Sequence, residues 1–356
     1  MQIDETIRIR VGSGYDVVIG RDLLPAAGTF IREVTGSRNC VIVSDSNVAP
    51  LYLDKAAASC EEAGLGTQSF VFEAGEEQKN LSTLGRILGS LAEAHLTRRD
   101  FVIALGGGVT GDISGFAAGC YMRGIPFVQI PTTVLSMVDS SVGGKCAVDL
   151  PQGKNLAGVF HQPSLVLCDI DTLSTLPEEI FADGCAEAVK TGILTGGELY
   201  GLLREDDPKP HMARIISLCI AYKGGVVERD EKEQGERKLL NLGHTAGHAI
   251  EKCSGYTVSH GRAVAVGTAM IARAADRLGW SIEPLAAAVE EMLGHFGLPV
   301  MTDFSPEQLL DAALSDKKRS GKKTSIVVPE AIGHCVLKDV DDEQLLEVFK
   351  AGMRID

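Results

Sequence analysis

Apolar residues follow two rhythms along this chain. In the first half, short apolar runs alternate with amphipathic stretches. Residues 6–11 and 15–19 flank Gly12-Ser13-Gly14 and predict an opening hairpin. Residues 40–43 read as a buried strand ending at Ser44-Asp45-Ser46-Asn47, followed by a helix over 51–63 and a strand over 68–72. A helix over 81–94, a strand over 101–105 before Gly106-Gly107-Gly108, and a strand over 127–130 closed by Pro131 continue the alternation. Strands alternating with helices predict a parallel-type sheet with helical crossovers.

The second half has the helical period almost throughout, over 178–194, 212–228, the histidine stretch 240–264, 263–278, 285–296 and 306–314. Only 325–328 reads as a strand. Thr175-Leu176-Pro177-Glu178 combines a capping box with proline in the first turn, a helix start. The change of rhythm at 171–175 predicts an α/β domain over 1–172 and an all-α domain over 173–356. Clefts between domains are favoured ligand sites.

Composition narrows the class. With 356 residues, 45% apolar and 23% charged, the chain fits a soluble globular protein of about two domains. The charged start MQIDETIRIR lacks the apolar core of a signal peptide, and no apolar run approaches the roughly eighteen residues of a membrane span. Nine cysteines, odd in number and without a CxxC pair, predict reduced thiols in the cytoplasm. A net charge of −14 argues against a nucleic-acid partner and against an anionic membrane surface.

Candidate chemistry begins at the glycine turn FVIALGGGVTGD. Gly106, Gly108 and Gly111 satisfy G-x-G-x-x-G between a strand and a helix, where backbone N–H groups can approach a pyrophosphate. The turn lies in mid-domain, and no acidic residue follows about twenty positions on, so a plain tight turn is the alternative. Asp45, at a strand end, is either a ribose acceptor or a helix cap. In the polar run 131–155, Lys145 follows Gly143-Gly144 and Lys154-Asn155 follow Gly153, beside Asp139 and Thr132-Thr133. Lysines in glycine loops can meet a phosphate together with backbone donors, and Arg123 joins the same electropositive set.

The helical half adds a metal-type pattern. His244, His248 and His260 fall within seventeen residues, in a chain of eight histidines. His244 and His248 share one helix face, whereas His260 sits in the Gly-flanked turn Ser259-His260-Gly261. Thr245, Ala246 and Gly247 fill the gap of the pair, so H-E-x-x-H is absent and this is not a zincin. In DGCAEAVK, Glu187 and Lys190 share a face either as a surface ion pair or, among Ala186, Ala188 and Val189, as a buried one. Glu187 with two of the histidines makes the three-ligand set of a catalytic zinc site. Lys223, Arg237, Asn241 and Asp316-Lys317-Lys318 add cations and an amide.

Together the runs GGGVTGD, YMRGIPFVQIPTT, VDSSVGGK, PQGKN, LSTLPEE, GCAEAVK, LNLGHTAGHAIE and SHGRAV resemble the 3-dehydroquinate synthase family, from about residue 45 to 318. The resemblance implies an NAD-binding α/β domain and a helical metal domain with the active site between them. It implies a divalent metal, zinc with cobalt as an alternative, on Glu187, His244 and His260. His248 would join Asn241, Lys145, Asn155 and Arg123 around a substrate phosphate, with Arg123 from the neighbouring subunit of a homodimer. Lys190, Lys223, Arg237, Lys317 and Lys318 would meet the substrate's carboxylate and hydroxyls. NAD would lie against Asp45, Asn47, Glu76, Lys79, Gly107, Gly108, Val109, Thr110, Gly111, Asp112, Thr132, Thr133, Asp139, Lys145, Lys154 and Thr175. The implied reaction on the small sugar phosphate is oxidation at C5, β-elimination of phosphate, reduction, ring opening and aldol closure. Cys146, Asp149, Leu242, Ala246 and Ala74 depart from the family's usual residues and bear on local packing.

Overall fold

The computed structural model describes residues 1–315 and 323–354. The chain forms two compact units, one from Met1–Leu176 and Lys223–Glu231, the other from Pro177–Tyr222 and the described residues from 232 onward. In the first unit, β1 (Gln2–Ile9), β2 (Tyr15–Arg21), α1 (Ala27–Thr35), β3 (Asn39–Asp45), α2 (Ala49–Glu62) and β4 (Gly66–Phe72) come first. They are followed by α3 (Leu81–Glu93), β5 (Phe101–Gly106), α4 (Gly108–Cys120), β6 (Phe127–Pro131), β7 (Lys145–Leu150), β8 (Gly153–Phe160) and β9 (Leu165–Asp169).

The main sheet has the order β1-β2-β9-β6-β5-β3-β4 and is antiparallel only between β1 and β2. From β3 the chain steps to β4 at the edge, then returns to lay β5 on the other side of β3 and winds on through β6 and β9. The order thus reverses between β3 and β5. In open α/β sheets, ligands bind at the carboxyl ends of the strands at such a point.

Alternate residues of a strand face opposite layers, and β3 does so cleanly. Cys40 and Ile42 share a core cluster with Ile31, Ala56 and Cys60 of α1 and α2. Val41 and Val43 share the other with Ile87, Leu91, Ile113 and Ala117 of α3 and α4. The helix α3 buries Leu84, Ile87 and Leu91 at helical spacing, and Asn80 caps it by accepting from the Thr83 N–H.

Two features go beyond the sequence expectation. The short run of β9 has no period to announce it, yet it pairs with β2 in parallel, Ile19 opposite Cys168. Part of the polar run 131–155 is also not loop. Cys146 and Val148 enter the α3/α4 core cluster, and β7 and β8 form an antiparallel hairpin around them.

The second unit contains α5 (Glu178–Thr195), α6 (Gly197–Leu203), most of α7 (Met212–Arg229), α8 (His244–Cys253), α9 (His260–Arg277) and α10 (Ala286–His295). It continues with α11 (Pro306–Ser315), the antiparallel pair β10 (Thr324–Ala331) and β11 (His334–Val340), and α12 (Asp342–Gly352). Helices dominate, as expected, but the lone strand-like run gains β11 as a partner. The capping box at Thr175 is not formed: Pro177 is the N-cap of α5, and the Thr175 hydroxyl donates to the Thr172 carbonyl and pairs with Tyr52. A capping box is formed instead at α12, between Asp341 and Gln344. The last two turns of α7 group with the first unit, where Glu228 accepts from the Arg10 N–H and Gly224 leaves room for Ile9. Among the described residues no helix is long and apolar enough to cross a membrane.

Candidate functional site

In the first unit the carboxyl ends of β3 and β5 lie side by side. Thr110 of α4 donates its hydroxyl to Asp45 Oδ2 at 2.9 Å and so bridges the two strand ends. Asp45 Oδ1 accepts from the N–H groups of Asn47 and Val48, 3.0 and 3.1 Å away, so Asp45 makes capping contacts ahead of α2. The exposed Asn47 sits on that turn.

The glycines of the turn have separate duties. A Cβ at Gly106 would strike the Thr110 side chain, so this glycine serves packing, and one at Gly111 would press on the end of the Gln129 side chain. Gly107 and Gly108 form the entry of the thirteen-residue α4, which no side chain caps. Its first N–H groups therefore keep their capacity for an anion. Nearby, the buried Thr132 hydroxyl has no hydrogen-bond partner. Thr133 is engaged locally with Ser136. An uncapped helix entry, bare glycines and an orphan hydroxyl fit a pyrophosphate-bearing cofactor.

Polar side chains of the same unit form a network around Lys79. Its ammonium contacts Asp112 at 2.6 Å and donates to Asn155 Oδ1 at 2.7 Å, while the Asn155 N–H donates to Asp149. Burial works against the charge on Lys79, but Asp112 and then Glu76 outweigh it and raise its pKa. Lys154 lies 3.5 Å from Glu76. Lys223, from the end of α7, meets Asp139 through both its carboxylate and its carbonyl. Lys145 is exposed on β7, and Arg123 is exposed in a left-handed turn at φ 70°.

In the second unit, α5, α8 and α9 bring Glu187, His244 and His260 together, with a ligand atom of each within 4.8 Å of the others. Glu187 Oε1 lies 3.6 Å from His244 Nε2 and 3.3 Å from His260 Nε2. Ligand atoms about 2.0–2.2 Å from a tetrahedral ion are separated by about 3.4 Å, so the spacing fits one ion. Glu187 Oε2 contacts the Lys190 ammonium. Glu187 and Lys190 are 1% and 2% exposed, so this is the buried ion pair rather than the surface one.

Neither Glu187 oxygen has a hydrogen-bond partner despite complete burial. Burial pushes its carboxyl up, but Lys190, then His244 and His260, outweigh this and hold it well below the usual carboxylate range. Burial lowers His244 to about 3, more than Glu187 restores, which leaves it a neutral imidazole. For His260 the contacts with Glu187 and Glu251 outweigh burial and raise it to about 10. A buried anion with orphan oxygens beside two ring nitrogens is the donor set a divalent metal requires.

His260 reaches this cluster because α9 begins earlier than the apolar pattern indicates. It is the first residue of the helix, not part of a turn. Asp183, one turn before Glu187 on α5, accepts from the Ser259 hydroxyl and the Arg262 N–H and so substitutes for a local cap. Gly261 is needed there, because a Cβ would strike the Asp183 carbonyl. His248 is exposed, its ring 5.3 Å from that of His244 and 6.2 Å from that of His260. A second set, His248, Glu251 and His260, also has metal-ligand spacing. Arg237 is buried on the short helical segment Glu236–Asn241, and Asn241 donates to Glu233 at 2.7 Å. Lys317 and Lys318 lie outside the described residues. Sequence reasoning passed over Glu251 and Glu233. Only the i+7 spacing of Glu251 from His244 marks it, since a lone acid on an amphipathic helix otherwise reads as surface.

The chain matches the family description "3-dehydroquinate synthase N-terminal" over residues 69–183 and "3-dehydroquinate synthase C-terminal" over 184–319. It is 42% identical over 342 residues to the 3-dehydroquinate synthase of Pelobacter propionicus, covering 94% of this chain and 95% of that protein. Among solved structures it is similar to a 2-deoxy-scyllo-inosose synthase complexed with carbaglucose-6-phosphate, NAD+ and Co2+, with TM-score 0.88 and 26% identity over 98% of this chain and all of that one. It is similar also to the 2-epi-5-epi-valiolone synthase of Streptomyces hygroscopicus subsp. jinggangensis with NAD+ and Zn2+, with TM-score 0.85 and 29% identity over 96% and 97% of the two chains.

Proposed function

Because this chain belongs to the 3-dehydroquinate synthase family, we propose that it converts 3-deoxy-D-arabino-heptulosonate 7-phosphate to 3-dehydroquinate and phosphate. It does so with catalytic NAD and one divalent metal, Zn2+ or Co2+, as a homodimer in the cytoplasm. The observation that carries the reading is the sealed Glu187 with its two orphan oxygens beside the Nε2 atoms of His244 and His260.

Glu187, His244 and His260 are the metal ligands. When bound, NAD supplies reversible hydride transfer at C5 and the metal supplies Lewis-acid polarisation of the C5 oxygen. The uncapped entry of α4 from Gly107 to Asp112, with Asp45, Asn47, Glu76, Lys79, Thr132, Thr133, Asp139, Lys145, Lys154 and Thr175, holds the dinucleotide. The exposed His248, with Asn241, Lys145, Asn155 and Arg123 of the neighbouring subunit, holds the substrate phosphate. Lys190, Lys223, Arg237, Lys317 and Lys318 hold its carboxylate and hydroxyls. Such a concentration of cations suits a polyanionic substrate in a chain of net charge −14. Among the described residues no side chain stands out as the base of the elimination, which agrees with the departing phosphate taking the C6 proton itself.

Incubation with NAD, Zn2+ and the heptulosonate phosphate tests this. Stoichiometric phosphate release without accumulating NADH is expected, and steady NADH production overturns it. A parallel panel of other sugar phosphates separates this synthase from other cyclases. His244→Ala is expected to lose both metal and turnover while remaining folded. Full activity in a verified metal-free His244→Ala protein defeats the ligand assignment.

A further inference from the structure

We propose that Glu251 is the positioning residue of the metal centre, holding the Nδ1 proton of His260 so that Nε2 points toward Glu187 as the ligand atom. This rests on the reading of Glu187, His244 and His260 as the metal ligands.

The two nitrogens of His260 face two different carboxylates. Nε2 lies 3.3 Å from Glu187 Oε1, and Nδ1 lies 3.4 Å from Glu251 Oε2. A neutral imidazole carries one proton and one lone pair, so only one of these sides can take a metal. His244 indicates which. Its Nδ1 is 3.1 Å from the Leu242 carbonyl, which can only accept, and its Nε2 is the atom turned to Glu187. Both rings thus have an acceptor at Nδ1 and Glu187 at Nε2. Glu251 does for His260 what a backbone carbonyl does for His244. A carboxylate in this position fixes the tautomer and ring orientation and makes the ligand nitrogen more basic.

The placement follows from helix geometry. Glu251 stands seven residues after His244 on α8, two turns along the same face. One face of α8 therefore supplies a direct ligand and, two turns later, the group that orients the ligand of α9. The Glu251 side chain is 4% exposed, out of reach of the surface roles common for glutamate on an amphipathic helix. The competing assignment makes Glu251 itself a ligand, with His248 and His260. It requires the metal at Nδ1 of His260, on the side of the ring turned away from Glu187.

The full-length protein, stripped by chelator, is titrated with Zn2+ against a chromophoric competitor and with Co2+ by visible absorption. The ring nitrogens of His260 are followed by 15N NMR in the Zn2+-loaded protein, where a ligand imidazole keeps one proton. Glu251→Ala is expected to weaken Zn2+ about 10–100-fold, the range for removal of an outer hydrogen-bond partner. The Co2+ spectrum should keep its intensity, and His260 should lose its preference for the Nδ1–H tautomer. Glu251→Gln, which keeps an acceptor oxygen and the buried shape, should restore the tautomer and most of the affinity.

Wild-type Zn2+ affinity and an unchanged tautomer in Glu251→Ala overturn the proposal. So does loss of metal in Glu251→Gln and His248→Ala alike with an altered Co2+ spectrum, since Glu251 is then a ligand. His244→Ala serves as the separate control. If it binds Zn2+ as tightly as wild type, the ligand set fails, whatever the Glu251 variants do.

Discussion

Asp100 and Glu187 are carboxylates sealed in different units of the same chain, 3% and 1% exposed, and the protein uses them in opposite ways. Asp100 Oδ1 accepts from the backbone and side-chain amides of Asn39, and Oδ2 accepts from the backbone and hydroxyl of Thr97. Its lone pairs are satisfied by protein, so it ties the start of β3 to the loop before β5. The Glu187 oxygens face an ammonium and two imidazoles instead of backbone and hydroxyl donors. Both acids are held below their ordinary range against the opposing effect of burial, Asp100 by hydrogen bonds from Thr97 and Asn39, Glu187 first by Lys190. Burial and a depressed pKa therefore do not separate a structural acid from a proposed ligand. The inventory of donors does.

The largest effect should come from neutralising the acid that faces an ammonium and two imidazoles. Glu187→Gln keeps an acceptor for Lys190 but should abolish turnover and weaken Zn2+ by more than the roughly 10–100-fold typical of outer-shell changes. Metal content after gel filtration, with phosphate release per folded molecule, measures both. Asp100→Ala should do the converse. It strands the donors of Asn39 and Thr97 at a cost of about 3 kcal/mol, which lowers the melting temperature by about 6–12 °C. Turnover per folded molecule and Zn2+ affinity should stay at wild type. A metal defect in Asp100→Ala, or a purely thermal defect in Glu187→Gln, breaks the distinction.

A smaller effect sharpens it through pH. Because folding lowers the pKa of Asp100, its contribution is complete above the ordinary aspartate value of about 3.9 and is lost as pH falls through the folded-state value. The gap in melting temperature between wild type and Asp100→Asn should thus be widest at pH 7 and narrow toward pH 3. A gap that widens on acidification has the wrong sign. The smallest effect belongs to an acid that is neither sealed nor orphaned. Glu198 pairs with Arg214 at 2.7 Å on the surface, and Glu198→Gln should leave both melting temperature and metal affinity unchanged.

Much of this was readable in the chain order. The run 101–112 announced a strand, a glycine turn and a helix in succession, and β5 and α4 stand there. The small apolar neighbours of Glu187 pointed to burial, and it is buried. The strand β9 escaped notice because five buried residues have no period, and its partner β2 is some 150 positions earlier. The hairpin β7–β8 was hidden by its lysines and glycines, although Cys146 and Val148 belong to a core.

The histidines draw the line between the two kinds of information. Local periodicity, a property of neighbouring residues, was enough to determine an alternating α/β half, a helical half and a shared helix face for His244 and His248. The motifs, as residue strings, were enough to indicate the family. What periodicity could not carry is distance between helices. Asp183 starts α9 at His260, that start brings a ring from another helix to Glu187, and the turn of α8 that holds His244 leads to a sealed Glu251 behind it. Those placements depend on side chains that are remote in the chain and meet only after the helices have packed.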